Sequence, residues 1–191
     1  MIFYPRSPRC LSPEQAAAIC AAVPPDVARI GVFVDATPAA VLDLARCCGL
    51  TGVQLHGKET PRTVAALREA GLRVIKALFA ARPPGFEAAA AYAPDAFLVE
   101  CGRGRLPGGN AEVWHWSEAR GIDRRAPLIL AGGLRPDNLV AAITAAAPDA
   151  VDVSSGVEDA PGRKNLERVA AFIRTAGQVH PEGRRPVFTV L

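Results

Sequence analysis

Two short segments carry the residue types from which a phosphate site is built. Ala131-Gly132-Gly133 and Val153-Ser154-Ser155-Gly156 each close an apolar, β-branched run. Glycine lets backbone N–H groups come close to a ligand, and serine adds hydroxyl donors. Two such loops side by side therefore form a cradle for phosphate at the start of a following helix. Taken singly, either loop also fits a plain tight turn between strand and helix.

The elements that must hold these loops recur along the chain. β-branched or aromatic runs at 1–4, 29–34, 52–55, 74–78, 96–99, 128–131 and 150–153 alternate with alanine- and leucine-rich stretches, the pattern of βα units around a parallel sheet. Helix starts are marked by Ser12-Pro13-Glu14, Thr37-Pro38, Thr60-Pro61 and Pro136-Asp137. Seven units with no interruption long enough for a second domain predict an α/β fold, a TIM (β/α)8-type barrel with seven of its eight units visible. Residues 1–177 form this N-terminally incomplete barrel domain, and residues 178–191, which lose helical periodicity, read as a C-terminal extension with no assigned role. Sites in such barrels lie at the carboxyl ends of the strands, and phosphate sites follow the last two, where both loops fall. Seven strands leave two sheet edges, so a monomer or a homodimer is expected.

Composition narrows the function classes. In 191 residues, 50% are hydrophobic and 21% charged, which supports one domain with a sizeable core and excludes a disordered chain. No apolar run approaches the roughly 18 residues of a membrane helix, and residues 1–5 do not open a signal peptide, so a cytoplasmic protein is expected. Five cysteines at irregular spacing give neither a disulfide framework nor a metal site. The net charge of +3 is spread along the chain without a basic cluster, so no nucleic-acid partner is implied.

Five ordered runs, Phe3-Tyr4-Pro5-Arg6-Ser7-Pro8-Arg9, Gly31-Val32-Phe33-Val34, Val53-Gln54-Leu55-His56-Gly57, Leu130-Ala131-Gly132-Gly133-Leu134 and Val151-Asp152-Val153-Ser154-Ser155-Gly156-Val157-Glu158, resemble the phosphoribosylanthranilate isomerases of tryptophan biosynthesis. The resemblance runs from Met1 to about Ala176. It implies an acid/base Amadori rearrangement of N-(5-phosphoribosyl)anthranilate to 1-(2-carboxyphenylamino)-1-deoxyribulose 5-phosphate, with no metal and no cofactor. A general acid would open the furanose ring and a general base would take the C2 proton. By the same resemblance Arg9 would hold the anthranilate carboxylate, His56 and Asp152 would touch the substrate, and Gly132, Gly133, Ser154, Ser155 and Gly156 would hold its phosphate. The residues themselves also fit a solvated Arg9, a His56 satisfied at the barrel rim, and an Asp152 that orients the phosphate loop.

The sequence departs from the family at both catalytic positions. The family's acid is an aspartate ending the sixth strand; here Leu98-Val99-Glu100 places a glutamate, one methylene longer, at that point. Its base is a cysteine in a Lys-Ile-Cys-Gly type run, which has no counterpart here, and its Gly-Gly-Thr/Ser-Gly loop reads Gly108-Gly109-Asn110-Ala111. The expectation is an isomerase with Glu100 as acid, against the alternative of a catalytically impaired phosphosugar-binding relative. Another phosphosugar enzyme of the same fold would rest on the phosphate loops alone.

Overall fold

The computed structural model describes residues 1–103, 113–122, 125–179, 181 and 183–188. Three of the marked helix starts behave as their residues dictate. Ser12, Thr37 and Thr60 accept the backbone N–H of Gln15, Ala40 and Thr63, with proline in the first turn, and start α1 (Pro13–Ala22), α2 (Pro38–Cys48) and α3 (Pro61–Glu69). The fourth, α4 (Leu139–Ala146), begins slightly later at an Asn138 cap, leaving Pro136-Asp137 in the preceding turn. The last helix, α5 (Leu166–Gln178), is capped by Asn165, which accepts from Arg168.

Between the helices run β1 (Ile30–Phe33), β2 (Gly52–Leu55), β3 (Arg73–Phe79), β4 (Ala96–Glu100), β5 (Leu128–Leu130) and β6 (Ala150–Val151). They form one parallel sheet in chain order, each strand paired with the next. This is the strand sequence of a (β/α) barrel, in which neighbours in the chain are neighbours in space.

Period-two alternation divides the core in two. One face of the strands buries Ile75, Ala77, Phe79, Ala96, Leu98, Ile129 and Ala131 in the barrel interior. The other face carries Leu78, Phe97, Val99, Leu128 and Leu130 against α4 and α5, and Phe33, Val53, Leu55 and Val74 against α1, α2 and α3.

Three features differ from the sequence expectation. Residues 1–4 do not make a full strand. Phe3 donates to the Val32 carbonyl and Val32 to that of Met1, but Pro5 then turns the chain away and only Ile2 forms a bridge to Val32. Among the described residues no pairing joins this segment to β6 at the sheet's other end. The stretches preceding β4 and β5 coil into 3₁₀ turns of six residues, Phe86–Ala91 and Trp116–Gly121, neither with a side-chain cap. Finally, the segment beyond α5 is not idle. Arg184 and Arg185 bond Asp149 through its carbonyl and its carboxylate, while Val187 and Phe188 pack on the interior cluster.

A buried ion pair fixes the loops that leave β1 and β2. Lys76 on β3 is fully buried, and its ammonium donates to Glu59 Oε2 at 2.8 Å, Gly57 O at 2.7 Å and Leu55 O at 3.3 Å. Glu59 in turn accepts the N–H of Asp35 and Gly57. Burial lowers the Lys76 pKa, and Glu59 works against that shift. Removing one partner strands the other charge, so Glu59→Ala should cost about 3–5 kcal/mol in urea unfolding. A loss below about 1 kcal/mol would mean that the pair does not organise these loops.

Candidate active site

The strand ends deliver their polar residues to one cleft of about 470 Å³, lined among others by Arg9, Gln54, His56, Glu100, Asp152, Ser154, Glu158 and Lys164. Glu100 ends β4 and is 7% exposed. His56, just past β2, is 4% exposed and stands edge-on to Phe79 with ring centroids 5.3 Å apart. Its Nε2 is 3.2 Å from Glu100 Oε1 and its Nδ1 is 2.7 Å from Gln54 Nε2. The histidine is therefore satisfied by side chains, Gln54 and Glu100, and not by backbone at the rim.

Arg9 is not a solvated arginine. Its Nε and Nη2 grip Glu158 at 2.7–3.0 Å, with the arginine side chain 12% and the glutamate side chain 3% exposed. Glu158 also receives Lys164 Nζ at 2.8 Å and the Gly162 N–H. Among the described residues Arg9 Nη1 has no hydrogen-bond partner, so its N–H groups stay available to a second carboxylate.

The two carboxylates following β6 are driven apart. Burial alone would raise Glu158, but the hydrogen bonds from Arg9 and Lys164 outweigh it and hold its pKa at about 2. Asp152 opens on the cleft. Desolvation lifts its carboxyl above the ordinary value, His56 opposes the rise, and Glu100 adds to it.

The glycine and serine loops do meet. Gly132, Gly133, Ser154, Ser155 and Gly156 line one pocket together with Glu100 and Asp152, so it runs on into the larger cleft. Gly132 and Gly133 have φ of +85° and +69°, which glycine alone adopts at little cost. At Gly156 a Cβ would collide with the Leu134 carbonyl oxygen. The second loop enters a single 3₁₀ turn, Ser155–Val157, and not a full helix. Asn138 braces the first loop by donating to Gly133 O, and the indoles of Trp114 and Trp116 donate to Ala131 O and Gly132 O. The 108–111 loop lies outside the described residues.

Among the described residues no group of three or more His, Cys, Asp or Glu side chains is placed to hold a metal ion, and no helix is long and apolar enough to cross a membrane.

Residues 1–175 match the family model of N-(5'phosphoribosyl)anthranilate (PRA) isomerase. The chain belongs to this family. Phosphoribosylanthranilate isomerase relatives agree along nearly all of the chain. The enzyme of that name from Desulfatibacillum aliphaticivorans is 49% identical over 178 residues, covering 93% of this chain and 82% of that protein. The crystal structure of the Thermotoga maritima isomerase superposes with a TM-score of 0.83 at 38% identity, covering 94% of this chain and 87% of that one. An isomerase solved with reduced 1-(o-carboxyphenylamino)-1-deoxyribulose 5-phosphate gives 0.79 at 36% identity, covering 94% and 86%. The fold is thus the phosphoribosylanthranilate isomerase barrel.

Three residues of the cleft, Gln54, Glu158 and Lys164, were not among the expected site residues. Glu158 was legible only as the end of the Val151–Glu158 run. A glutamate six residues before a lysine signals nothing until β7 (Glu158–Ala160) and β8 (Arg163–Lys164) pair as a hairpin and bring the two together. Gln54 shares the parity of His56 on the strand, and that alone could have marked it as facing the same side.

Glu158 supplies a test at low pH. A carboxyl held near 2 contributes its full stabilisation above its unfolded value of about 4.5 and loses it as pH falls toward 2. Thermal unfolding of the native chain should weaken across that window, and Glu158→Gln, less stable at neutral pH, should lose less over it. Equal acid slopes for the two would show that the triad of Arg9, Glu158 and Lys164 does not hold.

Proposed function

We propose that this chain isomerises N-(5-phosphoribosyl)anthranilate to 1-(2-carboxyphenylamino)-1-deoxyribulose 5-phosphate in tryptophan biosynthesis, with Glu100 as the general acid. One observation carries the reading. Arg9, clamped by Glu158, and Glu100 face a single cleft that runs on into the Gly132-Gly133 and Ser154-Ser155-Gly156 pocket. A carboxylate binder, an acid and a phosphate cradle stand in the order in which the substrate presents its benzoate, ribose and phosphate.

In this reading Glu100 protonates the furanose ring oxygen. The C1–O bond breaks toward that oxygen, and the anilino nitrogen lone pair forms the C1=N bond. Loss of the C2 proton then gives the enolamine, which tautomerises to the ketose. The raised Asp152 carboxyl faces the sugar, and Arg9 Nη1 takes the anthranilate carboxylate. The family's cysteine-bearing run has no counterpart in this sequence, so the proposal assigns the acid, the carboxylate site and the phosphate site but no base. No cofactor enters these steps. The protein is proposed to act in the cytoplasm as a monomer or homodimer on this small substrate, without nucleic-acid or membrane partners.

The test is the loss of anthranilate-type fluorescence when freshly made substrate is mixed with the protein. Turnover should fall about a hundredfold or more in Glu100→Gln with KM little changed, while Arg9→Ala should chiefly raise KM. Substrate bound without turnover in the native chain would overturn the reading in favour of a phosphosugar-binding relative. Gly156→Ala should weaken binding of the reduced product analogue and of inorganic phosphate alike, measured by titration calorimetry, because the loop must shift off Leu134 O. Unchanged affinity for both would remove this loop from the phosphate site.

A further inference from the structure

We propose that Gln54 fixes which nitrogen of His56 carries the proton, and through it keeps the acid proton of Glu100 on the oxygen that faces the substrate. The inference rests on Glu100 acting as the acid, and it makes Gln54 a positioning residue, acting only through His56.

The argument is one of donors and acceptors. A neutral imidazole has one N–H and one lone-pair nitrogen. The amide nitrogen of Gln54 lies 2.7 Å from His56 Nδ1, and with the amide turned this way it donates there, which makes Nδ1 the lone-pair nitrogen and leaves the hydrogen on Nε2. That N–H donates to Glu100 Oε1 at 3.2 Å. The opposite tautomer would set two N–H groups against each other at Nδ1. Water has little access to relieve that conflict, because Gln54, His56 and Glu100 are 8%, 4% and 7% exposed. The edge contact of the ring with Phe79 further limits its rotation.

The consequence falls on Glu100. With Oε1 occupied as an acceptor, a protonated Glu100 carries its hydrogen on Oε2, which has no hydrogen-bond partner among the described residues, in a side chain that lines the cleft. If His56 instead presented a lone pair at Nε2, the same acid would donate O–H to the imidazole, and its proton would be held away from the ring oxygen. As that proton leaves Oε2 for the ring oxygen, the glutamate becomes a carboxylate. The Nε2–H bond to it is then charge-assisted, stronger at the transition state than before it. Glutamine on the strand, one residue pair from the histidine, thus chooses between an acid aimed at substrate and an acid aimed at its neighbour.

Long-range ¹H–¹⁵N NMR of the native chain reads the tautomer directly, with His56 assigned by difference against His56→Gln. Nδ1 should be unprotonated and Nε2 protonated near neutral pH. A native spectrum with the proton on Nδ1 overturns the proposal, whether or not any variant folds. Gln54→Glu replaces the donor by an acceptor of the same shape. It should move a proton onto Nδ1 and lower kcat on the order of a hundredfold, with KM within about twofold. Gln54→Met, which neither donates nor accepts, should give mixed protonation and a smaller loss. Native kcat in a Gln54→Glu protein whose His56 carries its proton on Nδ1 and none on Nε2 would also overturn it. A failure of the acid assignment shows itself separately, as full activity in Glu100→Gln with the native tautomer pattern intact.

Discussion

One carboxylate joins the two ends of the sheet. Among the described residues no strand pairing connects the segment around Ile2 to β6, yet Arg9 follows the first and Glu158 the second, 149 positions apart in the chain, and they are locked in a near-bidentate grip. Lys164 completes the triad from the neighbouring hairpin strand. A guanidinium and an ammonium on one buried carboxylate form a strong, directional contact where backbone ladder bonds are missing. The carboxylate cleft on one side and the serine loop on the other take their spacing from this contact, since Lys164 also donates to the Ser154 carbonyl.

The electrostatics of the cleft follow from that arrangement. Glu158 is surrounded by cations and stays ionised well into acid. Asp152, six residues earlier, opens on the cleft, and desolvation with the nearby Glu100 charge raises its carboxyl above the ordinary value. Carboxyl groups whose environments push them in opposite directions are a common mark of a site that divides binding from proton handling. Here the ionised one holds the residue that binds and the raised one faces the space where chemistry would occur.

Much of the architecture was legible because it is local. The caps Ser12, Thr37 and Thr60 bond as their side chains dictate, and alternation along β3 and β4 sorts Ile75, Ala77 and Leu98 to the interior from Val74, Leu78 and Val99 outside. The glycine and serine loops were legible because their conformations need those residues. The partners of Arg9 and His56 were not. A lone arginine reads as a surface residue and a lone histidine as half-buried, and only tertiary packing supplies Glu158 and Gln54. The Lys76–Glu59 pair was equally hidden, since a lysine in an apolar strand gives no hint of the carboxylate waiting 17 positions earlier. The segment beyond α5 escaped for the same reason. Arg185 and Phe188 acquire meaning only against Asp149 and the interior cluster.

The indoles behind the glycine loop give the protein an optical property. Both of its tryptophans, Trp114 and Trp116, donate their N–H to carbonyl oxygens of the Ala131-Gly132 segment, and the sequence has no other. Indole emission responds to the polarity and hydrogen bonding around the ring, so all tryptophan fluorescence from this chain reports on the backbone of the Ala131-Gly132 segment. The protein carries its own spectroscopic label beside the glycine loop, and excitation at the red edge of indole absorption, where Tyr4 and Tyr92 do not absorb, reads that loop alone.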